Sequence, residues 1–383
     1  MTYKEKLCLT QNPKNMKRKI PLLTLLFVTI ALNLHAGKWT VSNNPGSPGQ
    51  YTSLQAAIDA AGSNDTIMVA GSATSYGTIT FGKPLVLVGA GYNNPYGQNS
   101  TIDQITLTRQ NLYISASGSK IMGFNVTSNI YLNGIFTGGV DSTRTINNSV
   151  FERCNINIIW FGQGGYNQTF KNDTIRNCLI QGNFYMYGQN GTISYFKNIV
   201  IQNNIFSSTN TAGNAYLYCA SSYISDLSFC YLRNNIFLNH VSNCFNNIKN
   251  MIIENNIFYG AEPLGGTTCV YNNNITYMCV NNSIPGVGNL GSGNLVNTDP
   301  QFVSFPVVGG TFSYSYDVHL KPSSPGKTGG TGGTEIGVYG GTKPYEPGAN
   351  PAFPQMMEIS FPNGSSVATG GVLDVYFKAR KQQ

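Results

Sequence analysis

The stretch Ile252-Ile253-Glu254-Asn255-Asn256-Ile257-Phe258-Tyr259-Gly260, IIENNIFYG, sets two amides in the middle of an otherwise apolar run. The same interruption recurs as VIQNNIFSS at Val200 to Ser208 and as YLRNNIFLN at Tyr231 to Asn239. A strand that stops at the same kind of residue three times points to a repeated corner. Asparagine suits one, because it tolerates the left-handed backbone and its amide both donates and accepts hydrogen bonds to identical neighbours.

Working outward, a frame of apolar, any, Asn or Gly, any, apolar fits seven places, anchored at Gly123, Asn148, Asn177, Asn203, Asn234, Asn255 and Asn282. The anchors are 25, 29, 26, 31, 21 and 27 residues apart, a repeat of loosely held length. Strand-like alternation, a period in the twenties and no helical stretch inside the repeat describe a solenoid of β coils. The Leu pattern of leucine-rich repeats is missing. The expected fold is all-β, a parallel β-helix in which Asn148, Asn177, Asn203, Asn234, Asn255 and Asn282 form a structural corner.

Composition agrees. Of 383 residues only 10% are charged, 43 are Gly, and 41% are hydrophobic, enough for a core with many turns. Lys17-Arg18-Lys19, the apolar run IPLLTLLFVTIALNL and Leu34-His35-Ala36 read as a secretory signal cleaved after Ala36. Residues 1–36 carry 6 of the 23 Lys and Arg and 1 of the 16 Asp and Glu, so the mature chain is expected to have a net charge of only +2. The basic balance is therefore no argument for nucleic acid. No later run is long and apolar enough to span a bilayer. Seven cysteines follow the leader, none in a C-x-x-C pair, and several at strand-like positions. They are expected to be mostly buried thiols, with one or two disulfides as the alternative.

At the start, YTSLQAAIDAAG offers Thr52 or Ser53 as N-cap, Leu54, Ile58 and Ala61 on one face, and Gly62 as a stop. It reads as a short helix capping the first coil. That segment, followed by NDTIMVAG and Asn-cornered repeats, resembles the pectate-lyase-like right-handed parallel β-helix superfamily. DPQF (Asp299 to Phe302), HLKPSSPG (His319 to Gly326) and EIGVYGG (Glu335 to Gly341) are similar to the last coils of secreted β-helix repeat proteins. After the Ser-Pro, Gly326, Lys327 and Thr328 stand where that group usually has a small apolar residue and an acid. The resemblance spans about residues 39–341 and implies a fold; its members include lyases, hydrolases and non-enzymatic surface proteins. The expected organisation is a β-helix domain over 37–341, a Pro-rich linker over 342–354, and a small β tail over 355–383 with strands in MMEISF and VLDVYFKA.

Several motifs fail on inspection. GKT at Gly326 to Thr328 has Lys321 where a phosphate loop needs Gly, VGAGYNN lacks the third glycine of a dinucleotide fingerprint, and NTD at Asn297 to Asp299 leads into DPQF. A lyase of this fold would need a base and either Ca²⁺ or a cation to neutralise a uronate carboxylate. The cationic candidates are Lys171, Arg176 and Arg233, with His240 as a base, and Ca²⁺ enters only under that alternative; no other cofactor or metal is expected. Arg176, Gln202, Arg233 and Glu254 each precede an anchor and should form one outward column, which is equally a solvated polar ladder containing an Arg233–Glu254 pair. His319, within the terminal motif, is read as structural.

The aromatic signal is sharper. Sixteen to eighteen residues before successive anchors stand Tyr131, Trp160, Tyr185 or Tyr187, and Tyr216 or Tyr218, and a common offset of 16 or 17 residues from Asn148, Asn177, Asn203 and Asn234 selects Tyr131, Trp160, Tyr187 and Tyr218 as the expected column. In NFYMYG and AYLYCA the tyrosines alternate with Phe184, Met186, Leu217 and Cys219, so if the latter face inward the tyrosines face outward. An outward aromatic column suits sugar rings, although strand propensity alone also places tyrosines on sheet surfaces. The sequence thus leads to a secreted, cell-surface or periplasmic monomer that binds a glycan without catalysis. Polysaccharide lyase or hydrolase and structural or adhesive stalk are the alternatives.

Overall fold

The structure, a computed structural model, describes residues 36–93, 97–111, 113–133, 144–162, 168–186, 194–207, 215–219, 227–239, 243–305, 312–347, 355–360, 366 and 369–380. The expected leader up to residue 35, Tyr187 and His240 lie outside the described residues.

Among the described residues, parallel strands form one sheet of ten and another of thirteen, and consecutive coils are neighbours in both. A central coil runs from Val200–Gln202 in the first sheet through Asn203-Asn204 to Ile205–Phe206 and then Leu217–Tyr218 in the second. It re-enters the first sheet at Tyr231–Arg233, paired with Val200–Gln202 residue for residue. Parallel crossovers of this kind are right-handed in nearly all proteins. The chain is a right-handed parallel β-helix.

Inward positions repeat in register. Ile175, Ile201, Leu232, Ile253 and Tyr271 follow one another up the first sheet, all essentially without exposure. In the second sheet Phe206, Phe237 and Phe258 stack with centroids 4.4 and 4.8 Å apart. No coil closes its own apolar face, so each depends on the next. At the N-terminal end Ser53 caps the helix Leu54–Ala60, accepting from the Ala56 N–H, and Leu54, Ala57 and Ile58 close the first coil. No helix among the described residues is long and apolar enough to cross a membrane.

The Asn pair divides two tasks. Asn177, Asn203, Asn234 and Asn255 adopt φ between 53° and 56°, turning the chain out of the first sheet. The residue after each faces inward: Asn204, Asn235, Asn256 and Asn274 are completely buried. Asn204 Nδ2 donates to Asn235 Oδ1 (3.0 Å), Asn235 to Asn256 (2.9 Å), Asn256 to Asn274 (3.0 Å) and Asn274 to Asn294 (3.1 Å). Each amide also donates to a main-chain carbonyl of the preceding coil, Ile175, Ile201, Leu232 and Ile253 in turn. Cys178 and Cys154 continue this column toward the N-terminus, with the Cys178 N–H donating to Asn204 Oδ1 at 2.9 Å. All seven cysteines among the described residues are buried, and none is in a disulfide.

Two expected corner members are placed elsewhere. Asn148 (φ 59°) belongs to the opposite end of the strand, where Asn172 and Asn198 repeat it and the three amides hydrogen-bond in series at 2.9 and 3.0 Å. Asn282 closes a local turn on Cys279. Arg153 (φ 54°) and Asn273 (φ 52°) hold the true corner positions. The frame slipped because both ends of the strand need a left-handed residue and both recruit Asn.

The outward side of the first corner is gripped by the returning C-terminal segment. Asn255 Oδ1 accepts from Thr331 N (3.0 Å), Asn234 Nδ2 donates to the Gly337 carbonyl (3.3 Å), Asn203 Nδ2 to those of Val338 (2.9 Å) and Gly340 (2.8 Å), and Asn177 Nδ2 to that of Lys343 (3.2 Å). This strap lays Ile336, Val338 and Tyr345 over an outward apolar column, Leu179, Ile205, Ile236, Ile257 and Ile275, making a second core outside the coils. Tyr345 bonds Tyr92 hydroxyl to hydroxyl at 2.6 Å, Arg153 pairs with Glu346, and His319 stacks on Tyr339 at 3.5 Å. The packed unit therefore runs to Glu346, beyond Gly341, because the Pro-rich stretch also carries a buried tyrosine. Further on, Gln355–Ser360 pairs antiparallel with Tyr376–Arg380.

Substitutions at Asn234 separate turn from grip. Asn234→Gly keeps the left-handed turn and removes only the amide, which is expected to cost about 1 kcal/mol. Asn234→Leu also forces a branched side chain to positive φ, so a loss of about 1–3 kcal/mol is expected in thermal melts. Parent-like melting of both variants would mean that the strap is held without this residue.

Candidate outward-facing binding surface

The aromatic residues form one continuous column. Thr106, Tyr131, Trp160, Tyr185, Tyr218 and Asn246 are paired in successive coils of the second sheet. Their neighbours Phe161, Phe184, Met186, Leu217 and Cys219 are buried, whereas the column residues are half-buried. Alternation thus turns the aromatics outward, and register selects Tyr185. Tyr216 departs from the expected pattern. It is fully buried, packed on Phe206 and Phe237 with its hydroxyl directed at the Leu238 carbonyl. It precedes the strand Leu217–Tyr218, so strand alternation does not govern it.

Trp160 and Tyr185 stack on each other, centroids 4.0 Å apart and planes within 18°. Tyr131 lies nearly parallel to Trp160 at 6.4 Å, and Tyr185 meets Tyr218 at a steep angle at 5.7 Å. The facing sides of Trp160 and Tyr185 cover one another. What the column offers along this pair is ring edges, with hydroxyls and amides beside them, as where Asn129 Nδ2 donates to the Tyr131 hydroxyl at 3.0 Å. Individual sugars stacked face to face on every ring are incompatible with this pairing.

Toward the C-terminus the column runs into an open concavity of about 670 Å³, lined by Asn243, Asn246, Asn247, Lys249, Thr267 and Thr268 among others. Here the coil is short, and the main chain at Gly265 passes so close beneath that a Cβ would lie 1.8 Å from the Phe245 carbonyl oxygen. Amides, hydroxyls and one ammonium make an open polar niche, of a size that suits a small ligand. Sequence reading missed it. The signal available was the contraction of the repeat to 21 and then 18 residues between Asn234, Asn255 and Asn273.

The cationic candidates do not converge. Glu152, Arg176, Gln202, Arg233 and Glu254 do form the expected outward column on the first sheet. Arg176 donates to Glu152 at 2.8 Å, Lys120 approaches the same carboxylate at 3.3 Å, and Arg233 donates to Gln202 at 2.9 Å and lies 4.0 Å from Glu254. Burial works to raise the Glu152 pKa, but the hydrogen bond and charge of Arg176, with Lys120, outweigh it and hold the carboxyl below its ordinary value. Lys171 sits on a third sheet, exposed and in register with Lys197.

No family model and no curated relative matches the chain. Among solved structures it is similar to the pectin methylesterase from Aspergillus niger in deglycosylated form, at 17% identity and a TM-score of 0.29, over 75% of this chain and 95% of that one. The penultimately deglycosylated form of that enzyme, with an N-acetylglucosamine stub, gives 16% and 0.24 over the same shares. The fold assignment rests on strand register.

Proposed function

We propose that the chain is a secreted, non-catalytic, carbohydrate-binding β-helix of the pectate-lyase-like kind, which holds a polysaccharide along Tyr131, Trp160, Tyr185 and Tyr218 and anchors it in the concavity at Asn246 and Lys249. The observation that carries this reading is the unbroken register from Tyr131 to Asn246, leading an aromatic surface into a polar niche. Coils stack about 4.8 Å apart, close to the advance of one sugar per ring along an extended glycan. The glycan lies along ring edges and hydroxyls, and Lys249 favours a chain bearing carboxylates.

Affinity electrophoresis of the mature protein through gels containing neutral or uronate polymers tests it. At least one polymer is expected to retard the parent, and a folded Trp160→Ala/Tyr185→Ala double variant should migrate freely. Equal retardation of both would remove the column from the site. Following unsaturated-product absorbance in the same mixtures distinguishes a lyase acting at the polar ladder, where Arg176 and Arg233 would be the carboxylate contacts.

A second reading, a structural or adhesive stalk, draws on the Trp160–Tyr185 stacking, which also stabilises neighbouring coils. It leaves the polymers unbound, and the double variant then loses stability alone.

A further inference from the structure

Another outward column of the second sheet ends in paired tyrosines: Tyr277 follows Tyr259 in register, where the preceding coil has Leu238. Together with Phe302 and Phe305 they wall a concavity of about 620 Å³. Tyr259 meets Phe305 edge to face at 5.4 Å and lies tilted against Tyr277 at 5.7 Å. Asp299, Gln301, Lys321 and Ser323 line the same space.

The polar set is held in place before any ligand arrives. Gln301, at φ 54°, donates its N–H to Asp299 Oδ1 at 2.8 Å, accepts the Lys321 N–H at 3.0 Å on its carbonyl, and accepts the Ser323 hydroxyl at 2.7 Å on Oε1. Asp299 and Lys321 line one concavity, yet no ion pair within 4.0 Å joins them or links either to another described residue. A carboxylate accepts two vicinal hydroxyls, an ammonium donates to a ring or hydroxyl oxygen, and aromatic walls receive the C–H face of a pyranose. The volume falls within the range of small-ligand sites.

We propose that this concavity is a pyranose-binding site, distinct from the aromatic column, taking one sugar residue or a chain end through Asp299, Lys321 and the Tyr277 and Phe305 rings. It does not rest on the column reading. Asp299 stands in the NTD lead-in that no other part of the functional account uses.

Saturation-transfer NMR with free glucose, galactose, N-acetylglucosamine and galacturonic acid, and choline as a cationic control, tests it on the mature chain. At least one sugar is expected to receive saturation, with affinity falling at least about tenfold in Asp299→Asn/Lys321→Met. Lys321→Met alone, a change at an exposed side chain, carries the test if the double variant does not fold. Transfer to no sugar, to choline in preference, or undiminished in these variants overturns the proposal. Loss of sugar binding in Trp160→Ala with retention in Asp299→Asn/Lys321→Met assigns binding to the column instead.

Discussion

Replacing Asn235 with leucine is expected to destabilise the protein by about 3–5 kcal/mol, the largest effect of any single corner residue. Its Oδ1 accepts from both the N–H and the amide of Asn204, and its own amide reaches the Ile201 and Arg233 carbonyls. The site has no access to water. Leucine would leave two donors of Asn204 and three acceptors, the Ile201 and Arg233 carbonyls and Asn256 Oδ1, each short of a partner, and an orphaned group costs about 1–3 kcal/mol before relaxation. Urea denaturation should show a lower midpoint with an unchanged slope. A loss under about 1 kcal/mol would mean that the ladder follows the coils without supporting them.

Asp173 makes stability depend on pH with an unusual sign. Its side chain is wholly buried among the coils, with Oδ1 accepting the Ser149 N–H at 2.7 Å. Burial pushes the carboxyl from 3.8 up to about 8, and the bonds from Ser149 only partly oppose this. Below about pH 4 folded and unfolded chains both carry the proton. Between about pH 4 and 8 only the folded chain keeps it, so stability falls by about 1.4 kcal/mol per pH unit, and above about 8 the slope ends. The whole effect is on the order of 5 kcal/mol, present at acid pH and lost as the pH rises. Asp173→Asn removes the titration, so the stability difference between variant and parent should grow in the variant's favour from about pH 4.5 to 8.5 in urea titrations. Parallel pH profiles would contradict this.

The repeated NNIF corner was legible because a solenoid writes the same constraint into each coil. The division between Asn255, which turns and grips the strap, and Asn256, which builds the ladder, was not legible, since one residue type serves both. The misplaced Asn148 and Asn282 follow from the same ambiguity. The offset from the anchors pointed to Tyr187, outside the described residues, whereas register brings Tyr185 into the column. The outward direction of Tyr131, Trp160 and Tyr218 was readable, because strand alternation fixes which way a side chain points. Tyr216 escaped it by standing before its strand. The strap was hidden for a different reason. Its partners at Asn177, Asn203 and Asn234 lie 100 or more residues away, with |i−j| of 166, 137 and 103 in the bonds to Lys343, Gly340 and Gly337, and its own sequence is rich in glycine without alternation. The two concavities arise where coils contract or where the chain folds back, and neither event leaves a motif.

Trp160 supplies the most direct test of the functional claim. The chain has two tryptophans, and Trp39 is bonded to Asp65 in the N-terminal cap, so in a Trp39→Phe variant the emission reports the column alone. Titrating that variant with the polymer that retards the parent should give a saturable change in Trp160 emission, weakened in a Tyr185→Ala derivative. Emission that stays constant up to saturating polymer, in a protein that remains folded and retarded, would place glycan binding elsewhere and leave the aromatic column as a structural seam between coils.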